Sequence, residues 1–308
     1  VLGSEEGASS RLNLSQAFNS LGTAIAPAIG ALFILSDKVK SKEEIDVLSE
    51  SVKEAYLVSE AEAVQNPFFG IAAFVISLAL VFLFVKLPTI LQKAPEGGYG
   101  TLLKKKSLML GAVGIFIYVG AEVAIGSYLI NYFDSMNIAD SIRNSSFLSS
   151  ISKTILGDDL SRVDNFGILG SFVTIYWSGA MVGRFIGSYL TKILKPSLVL
   201  SLFAIGAMIL VFISSQSTGI LAMWTILGVG LFNSIMFPTI FTLSLEGLED
   251  LKPQASGILC TMIVGGAIIP PLYGYLTDLS GFKSAMVLLL FCYYYINRFG
   301  RLKGKGAI

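Results

Sequence analysis

Gln16, Asn19 and Thr23 stand three and four residues apart in RLNLSQAFNSLGTAIAPAIGALF, residues 11–33. On a helix that spacing puts two amides and a hydroxyl on one face. The rest of the segment is apolar enough to enter a bilayer, where such a face is costly unless it looks at protein or at water. Amides donate and accept hydrogen bonds, so the face either recognises a polar solute or bonds to another helix. A second group has acid–base capacity: Glu122, in IYVGAEVAIGSY, is the one acidic residue deep inside an apolar run. An intramembrane carboxyl is expensive to ionise and marks a cavity or a pairing partner. It either exchanges a proton or stays a protonated or paired structural group.

The chain has 308 residues, 54% of them apolar and 14% charged, with a mean hydropathy of +0.73. Soluble domains are less apolar and carry about a quarter charged residues. The excess lies in long runs, which makes this an all-α polytopic membrane protein. The absence of histidine removes Ser-His-Asp catalysis, HExxH metal sites and histidine proton relays. Cys260 and Cys292 both fall in apolar runs, so neither a disulfide framework nor a cysteine metal site is expected. No nucleotide-binding glycine motif and no basic patch suited to nucleic acid is present. No enzyme activity, cofactor or metal is expected. An intramembrane aspartyl enzyme would need two aspartates deep in spans, and these aspartates lie in loops or at ends.

A membrane helix needs about 20 mostly apolar residues. Runs of that kind cover 12–36, 67–87, 107–133, 166–193, 197–214, 219–245, 256–277 and 283–297, eight spans. Lys86, Lys93, Lys104, Lys105 and Lys106 lie between the second and third. Arg298, Arg301, Lys303 and Lys305 lie in the tail. By the positive-inside rule, both ends of the chain and that connection are cytoplasmic. On the opposite side, Ile45, Leu48, Val52 and Tyr56 recur at helical spacing and predict a short amphipathic helix.

LGTAIAPAIGAL (21–32) repeats as VGGAIIPPLYGY (264–275), pairing Gly22 with Gly265 and Pro27 with Pro270. Likeness six spans apart is what two six-helix halves produce. Residues 1–87 then read as the last two helices of a first half whose four opening helices are absent. Residues 88–106 are a cytoplasmic central loop, and 107–308 a complete second half. Two stripes of small residues, Gly22-Ala26-Gly30 and Gly179-Gly183-Gly187, allow close helix approach. They are expected to face each other across the seam between halves, or to meet other neighbours.

Five stretches resemble one family: ASSRLNLSQAFNSLGTAIAP, YVGAEVAIGSYLINY, GAMVGRFIGS, LFNSIMFPTIFTLSLEGL and SGILCTMIVGGAIIPPLYGYLTD. In order and separation they are similar to the fucose and glucose/galactose permeases of the major facilitator superfamily. AFNSLGT and FNSIMFPTIF resemble the glucose/galactose subgroup somewhat more. The resemblance implies a helical bundle of twelve helices, eight of them present, in a bacterial inner membrane. It implies a monosaccharide imported with protons by alternating access, and a monomer is expected. Sodium coupling, a facilitative carrier of another solute, and a membrane enzyme or scaffold remain the alternatives. The family's proton-carrying acids are expected mainly on its first and fourth helices, which lie outside this chain.

Gln16 and Asn19 resemble the family's sugar-contacting QxxN pair, with Thr23 on the same face. Glu122, Tyr118, Asn131 and Asn233 are further candidates for the sugar site, and Glu122 is the candidate for proton coupling. Tyr176 and Trp177 suit ring stacking on a sugar or plain packing. Arg184 snorkels to the interface, or forms a gate or a structural ion pair. Pro238, Pro270 and Pro271 free backbone carbonyls and bend helices, which suits a hinge.

Overall fold

The computed structural model describes residues 6–33, 47–63, 65–85, 98–157, 159–161 and 163–308. They fall into two compact units, residues 22–93 and residues 1–21 with 94–308. Among the described residues all regular structure is helical, as the composition demands. Helix α1 spans Ala8–Phe33. Its side chains are described as far as Gly22, so those of Thr23, Ala26 and Gly30 lie outside the described residues.

In the smaller unit, α2 (Glu50–Ala63) begins after Leu48 and carries Val52 and Tyr56 of the expected amphipathic face. Ile45 lies outside the described residues, and Val52 is half exposed. Helix α3 (Gln65–Phe84) follows. Phe69, Phe74, Ile76 and Leu83 leave it apolar all round and exposed, as a helix in lipid or against other helices must be.

The larger unit continues with a single turn, α4 (Tyr99–Leu102). Then come α5 (Lys106–Asp134), two short helices α6 (Ile138–Asn144) and α7 (Ser146–Leu156), and α8 (Asn165–Ile193). The chain goes on through α9 (Pro196–Gln216), α10 (Gly219–Asn233), α11 (Met236–Leu245), α12 (Lys252–Thr261) and α13 (Gly265–Gly304). Five stretches among the described residues are long and apolar enough to cross a membrane: 106–134, 165–193, 196–216, 219–245 and 249–304. In the connection after α5, Lys153 pairs with Asp159 at 3.2 Å. Its hydrogen bond and charge hold that exposed carboxyl below the usual range.

The last stretch is 56 residues long, far more than one crossing requires. It reverses at Gly281, whose φ of 79° and ψ of 163° suit a residue without Cβ. Before the turn the chain climbs α5, with Gly265 against Phe116 and Gly274 under the Tyr128 hydroxyl. After it the chain descends, with the Tyr295 hydroxyl donating to Leu110 O at 2.9 Å and Phe299 beside Gly111. Helix α13 stays helical through Pro270 and Pro271 and reverses at the glycine.

Glycine sets how closely these helices pack. A methyl on Gly183 would lie 2.3 Å from Leu231 O, and one on Gly187 1.9 Å from the Ile235 side chain. Gly179 faces the Leu231 backbone in the same row. The α8 stripe is thus filled by residues 231–235, the second of the two readings offered for it. The physical reason is that two backbones in contact leave no room for a third. Helix α1 meets α8 through other side chains. Ser10 Oγ donates to Ser188 O at 2.8 Å, Ser188 Oγ donates to Ser10 O at 3.0 Å, and Phe18 sits edge-on to Phe185. On the neighbouring face Asn13, fully buried, donates to Ser9 O at 2.8 Å and Thr239 Oγ1 at 3.3 Å.

Buried hydroxyls mostly bond back to their own helix, which satisfies them where no water reaches. Thr191 donates to Gly187 O, Ser201 to Ser197 O and Ser244 to Ile240 O. At one end of the unit, Lys303 Nζ pairs with Glu246 Oε2 at 3.0 Å and ties α13 to the end of α11.

A methyl at Gly265 would lie 1.9 Å from Phe116 O, whereas one at Gly257 would meet nothing within 4 Å. Gly265→Ala is expected to destabilise the fold by about 1–3 kcal/mol through overpacking. Gly257→Ala, in the middle of α12, should be neutral or stabilising by up to ~1 kcal/mol. Thermal unfolding of the purified protein in detergent distinguishes them.

Candidate functional site

At the centre of the larger unit, α5, α8, α10 and the descending arm of α13 bring polar groups together in apolar surroundings. Asn233 ends α10, fully buried. Its Nδ2 donates to the Tyr176 hydroxyl of α8 at 2.8 Å, and its Oδ1 accepts from the Tyr293 hydroxyl of α13 at 2.8 Å. One amide thereby joins three helices with both of its polar atoms in use. Tyr176 and Tyr293 are 0% exposed, so water offers neither of them a substitute. Trp177 packs edge-on against Tyr176 and over Gly126.

On α5, Tyr118 and Glu122 stand one turn apart and add to this cluster. Tyr118 is buried, and its hydroxyl, like Glu122 Oε1, lacks a hydrogen-bond partner of good geometry. Both remain within electrostatic reach of one another and of Arg184. Tyr176 and Tyr293 also lie within reach of the carboxyl. A half-satisfied buried carboxyl and phenol, with a cation nearby, can hold a proton or accept hydrogen bonds from a polar solute.

Arg184 points inward: its Nε donates to Ser234 O at 3.2 Å. That carbonyl is accounted for by sequence. Pro238 lacks the N–H that would reach the carbonyl four residues back, at Ser234. Here α10 stops at Asn233 and α11 starts at Met236. Snorkelling does not describe this arginine, because its guanidinium closes a gap in the backbone ladder.

The other candidates stand apart. Gln16 is half-buried and Asn19 exposed on α1. Asn131 is exposed on the last turn of α5, about 13 Å along the helix from Glu122 at 1.5 Å per residue. Gly22 is exposed with open space around it. Toward the same end of α5 as Asn131, Tyr128, Tyr132 and Tyr273 with Ile226, Met286 and Leu289 line a cavity of about 10 Å³, room for roughly one water. Tyr293 and Asn13 escaped the reading of the sequence. The first is hidden in the run YYY at 293–295, though Asn13 shares its face with Ser9 and Ser20, a pattern that was legible.

Asn233→Ala strips a partner from two buried hydroxyls, and each orphaned group costs about 1–3 kcal/mol. The variant should therefore melt well below wild type. Tyr293→Phe removes a hydroxyl but leaves Asn233 Oδ1 unpaired, and should cost less. Replacing all three, Asn233→Leu with Tyr176→Phe and Tyr293→Phe, should recover part of the loss. Equal melting of Asn233→Ala and wild type would contradict the network.

No protein-family model matches the chain. The glucose/galactose transporter of Brucella abortus is 40% identical over 99% of the chain. The L-fucose-proton symporter of Escherichia coli is 31% identical over the whole chain. The chain spans 66% of the length of the first and 67% of the second. The crystal structure of the major facilitator superfamily transporter FucP in the outward conformation superposes with a TM-score of 0.82 at 28% identity, covering 98% of this chain and 70% of that one. With such identity along its whole length, and a helical bundle that matches in three dimensions, the chain belongs to the major facilitator superfamily, in the family of the glucose/galactose transporters and L-fucose-proton symporters.

Proposed function

We propose that this chain forms the greater part of a bacterial inner-membrane carrier that imports a monosaccharide of the glucose/galactose type together with protons. Residues 1–87 are the last two helices of its first six-helix half, 88–106 the cytoplasmic connection and 107–308 the second half. That makes eight of twelve spans, with both ends of the chain in the cytoplasm. The observation that carries the reading is the Glu122 carboxyl, set among Tyr118, Tyr176 and Arg184 in the middle of the membrane helices. The names of the relatives support the solute and the coupling ion.

No bond is broken in this work. Sugar and proton shift a population between outward-open and inward-open states, and the proton gradient supplies direction. Sugar hydroxyls donate and accept, as amides do. Gln16 and Asn19 are the proposed sugar contacts, with Thr23 on the same helix α1 and Tyr118 and Asn131 as further contacts, while Asn233, both polar atoms bonded, holds Tyr176 and Tyr293 in place. The carrier works as a monomer, because the solute path runs within a single chain.

The test is uptake of glucose, galactose and fucose by the full-length carrier in proteoliposomes, with and without an inward proton gradient. One hexose should accumulate only with the gradient. Asn19→Ala should raise its KM by about ten- to a hundredfold, the effect of losing ~1.5–3 kcal/mol of hydrogen bonding. Movement of no sugar under any condition would overturn the substrate assignment. Equilibration without proton-driven accumulation would overturn the coupling, and sodium would be tested next.

A further inference from the structure

Pro238, Ser234 and Arg184 form a chain of dependencies that the proposed sugar and proton roles leave unused, and it runs within electrostatic reach of Glu122. Pro238 is buried in α11, and its ring nitrogen cannot donate to Ser234 O. The helix is interrupted at Ser234–Ile235, and the freed carbonyl takes Arg184 Nε at 3.2 Å. The Ser234 hydroxyl beside it is buried without a hydrogen-bond partner. Gly183 and Gly187 bring the α8 backbone against residues 231–235, so Arg184 starts from a helix already in contact with the interruption.

The guanidinium thus has one hydrogen bond and one charge within electrostatic reach. The first is to a fixed dipole, the Ser234 carbonyl. The other is a charge that exists only when Glu122 is ionised. Facing Glu122 are Tyr118 on its own helix, Arg184 and Tyr176 on α8, and Tyr293 on α13; Arg184 alone of these carries a positive charge. Protonating Glu122 removes the charge attraction and leaves Arg184 to the carbonyl. Ionising it restores an attraction from α5. We propose that Arg184 is the positioning residue through which the protonation state of Glu122 is felt at the Ser234–Ile235 interruption of α10 and α11. This rests on the proton-coupled reading above and adds the route by which the proton reaches the backbone. A guanidinium suits the task because its charge is fixed and its donors form a rigid fork, so one group can hold a carbonyl and respond to a nearby charge.

The test separates the charge from the simple capping of a carbonyl. Proteoliposomes containing full-length wild type, Arg184→Leu, Arg184→Leu with Pro238→Ala, and Glu122→Gln are given the transported hexose under an inward proton gradient. Thermal stability in detergent is measured in parallel. Pro238→Ala restores the N–H that Ser234 O lacks, so the double variant repairs the backbone without restoring the charge. Arg184→Leu is expected to be destabilised and to let sugar equilibrate, with an inside-to-outside ratio of about one. The double variant should regain stability and still fail to accumulate, and Glu122→Gln should behave likewise. If Arg184→Leu fails to fold, the double variant carries the same test. Wild-type accumulation by Arg184→Leu, or accumulation restored together with stability in the double variant, would overturn the proposal. Absence of proton-driven accumulation by wild type would instead overturn the proposed function itself.

Discussion

Water is missing from the middle of a membrane, so each polar group placed there must find its partner in protein. Asn233 shows what this demands. Its two polar atoms hold hydroxyls from α8 and α13 at 2.8 Å each. Because all three groups are buried, the rotation and spacing of three helices are fixed together at one amide. The glycines serve the same constraint from the other side. Gly183 and Gly230 let α8 and α10 approach until backbone meets backbone, which brings Tyr176 within reach of Asn233. Remove either close approach and the hydrogen bond lengthens beyond usefulness.

Against that satisfied network, Glu122 and Tyr118 are conspicuous because they are not fully served. A bundle that pairs most of its buried serines and threonines leaves two of its strongest groups with capacity to spare, in the place proposed for solute and proton. Hydrophobic packing builds the scaffold, hydrogen bonds fix its register, and the unpaired remainder is what is free to act. Arg184 stands between these classes. It repairs the backbone at Ser234 and supplies the field that acts on Glu122.

Much of this was legible in the sequence, because a polar residue in an apolar run is conspicuous. Glu122 and Asn233 stand out on that ground, and Tyr176 links them, bonded to Asn233 and within electrostatic reach of Glu122. Four spans of the larger unit follow from runs of apolar residues, with ends matching to within two positions, whereas the last two expected spans fall in the single stretch 249–304. What was not legible is pairing across helices. The stripe at Gly179, Gly183 and Gly187 announced a close contact but not its partner, since any second backbone satisfies the same rule. Tyr293 went unnoticed because a tyrosine in an aromatic run gives no sign of which hydroxyl turns inward. The prolines show the same limit: Pro238 does interrupt its helix, while Pro270 and Pro271 lie in a helix that carries on to Gly281. A local sequence tells where a backbone bond is lost, and only the neighbours decide what replaces it.

The most direct measurement is the external pH of lightly buffered, de-energised proteoliposomes holding the full-length carrier, recorded as the hexose is added. With sugar and proton entering together, sugar addition should make the medium alkaline, and a protonophore should abolish the signal. Sugar entry with no change in external pH would contradict proton coupling, and with it the role given to Glu122.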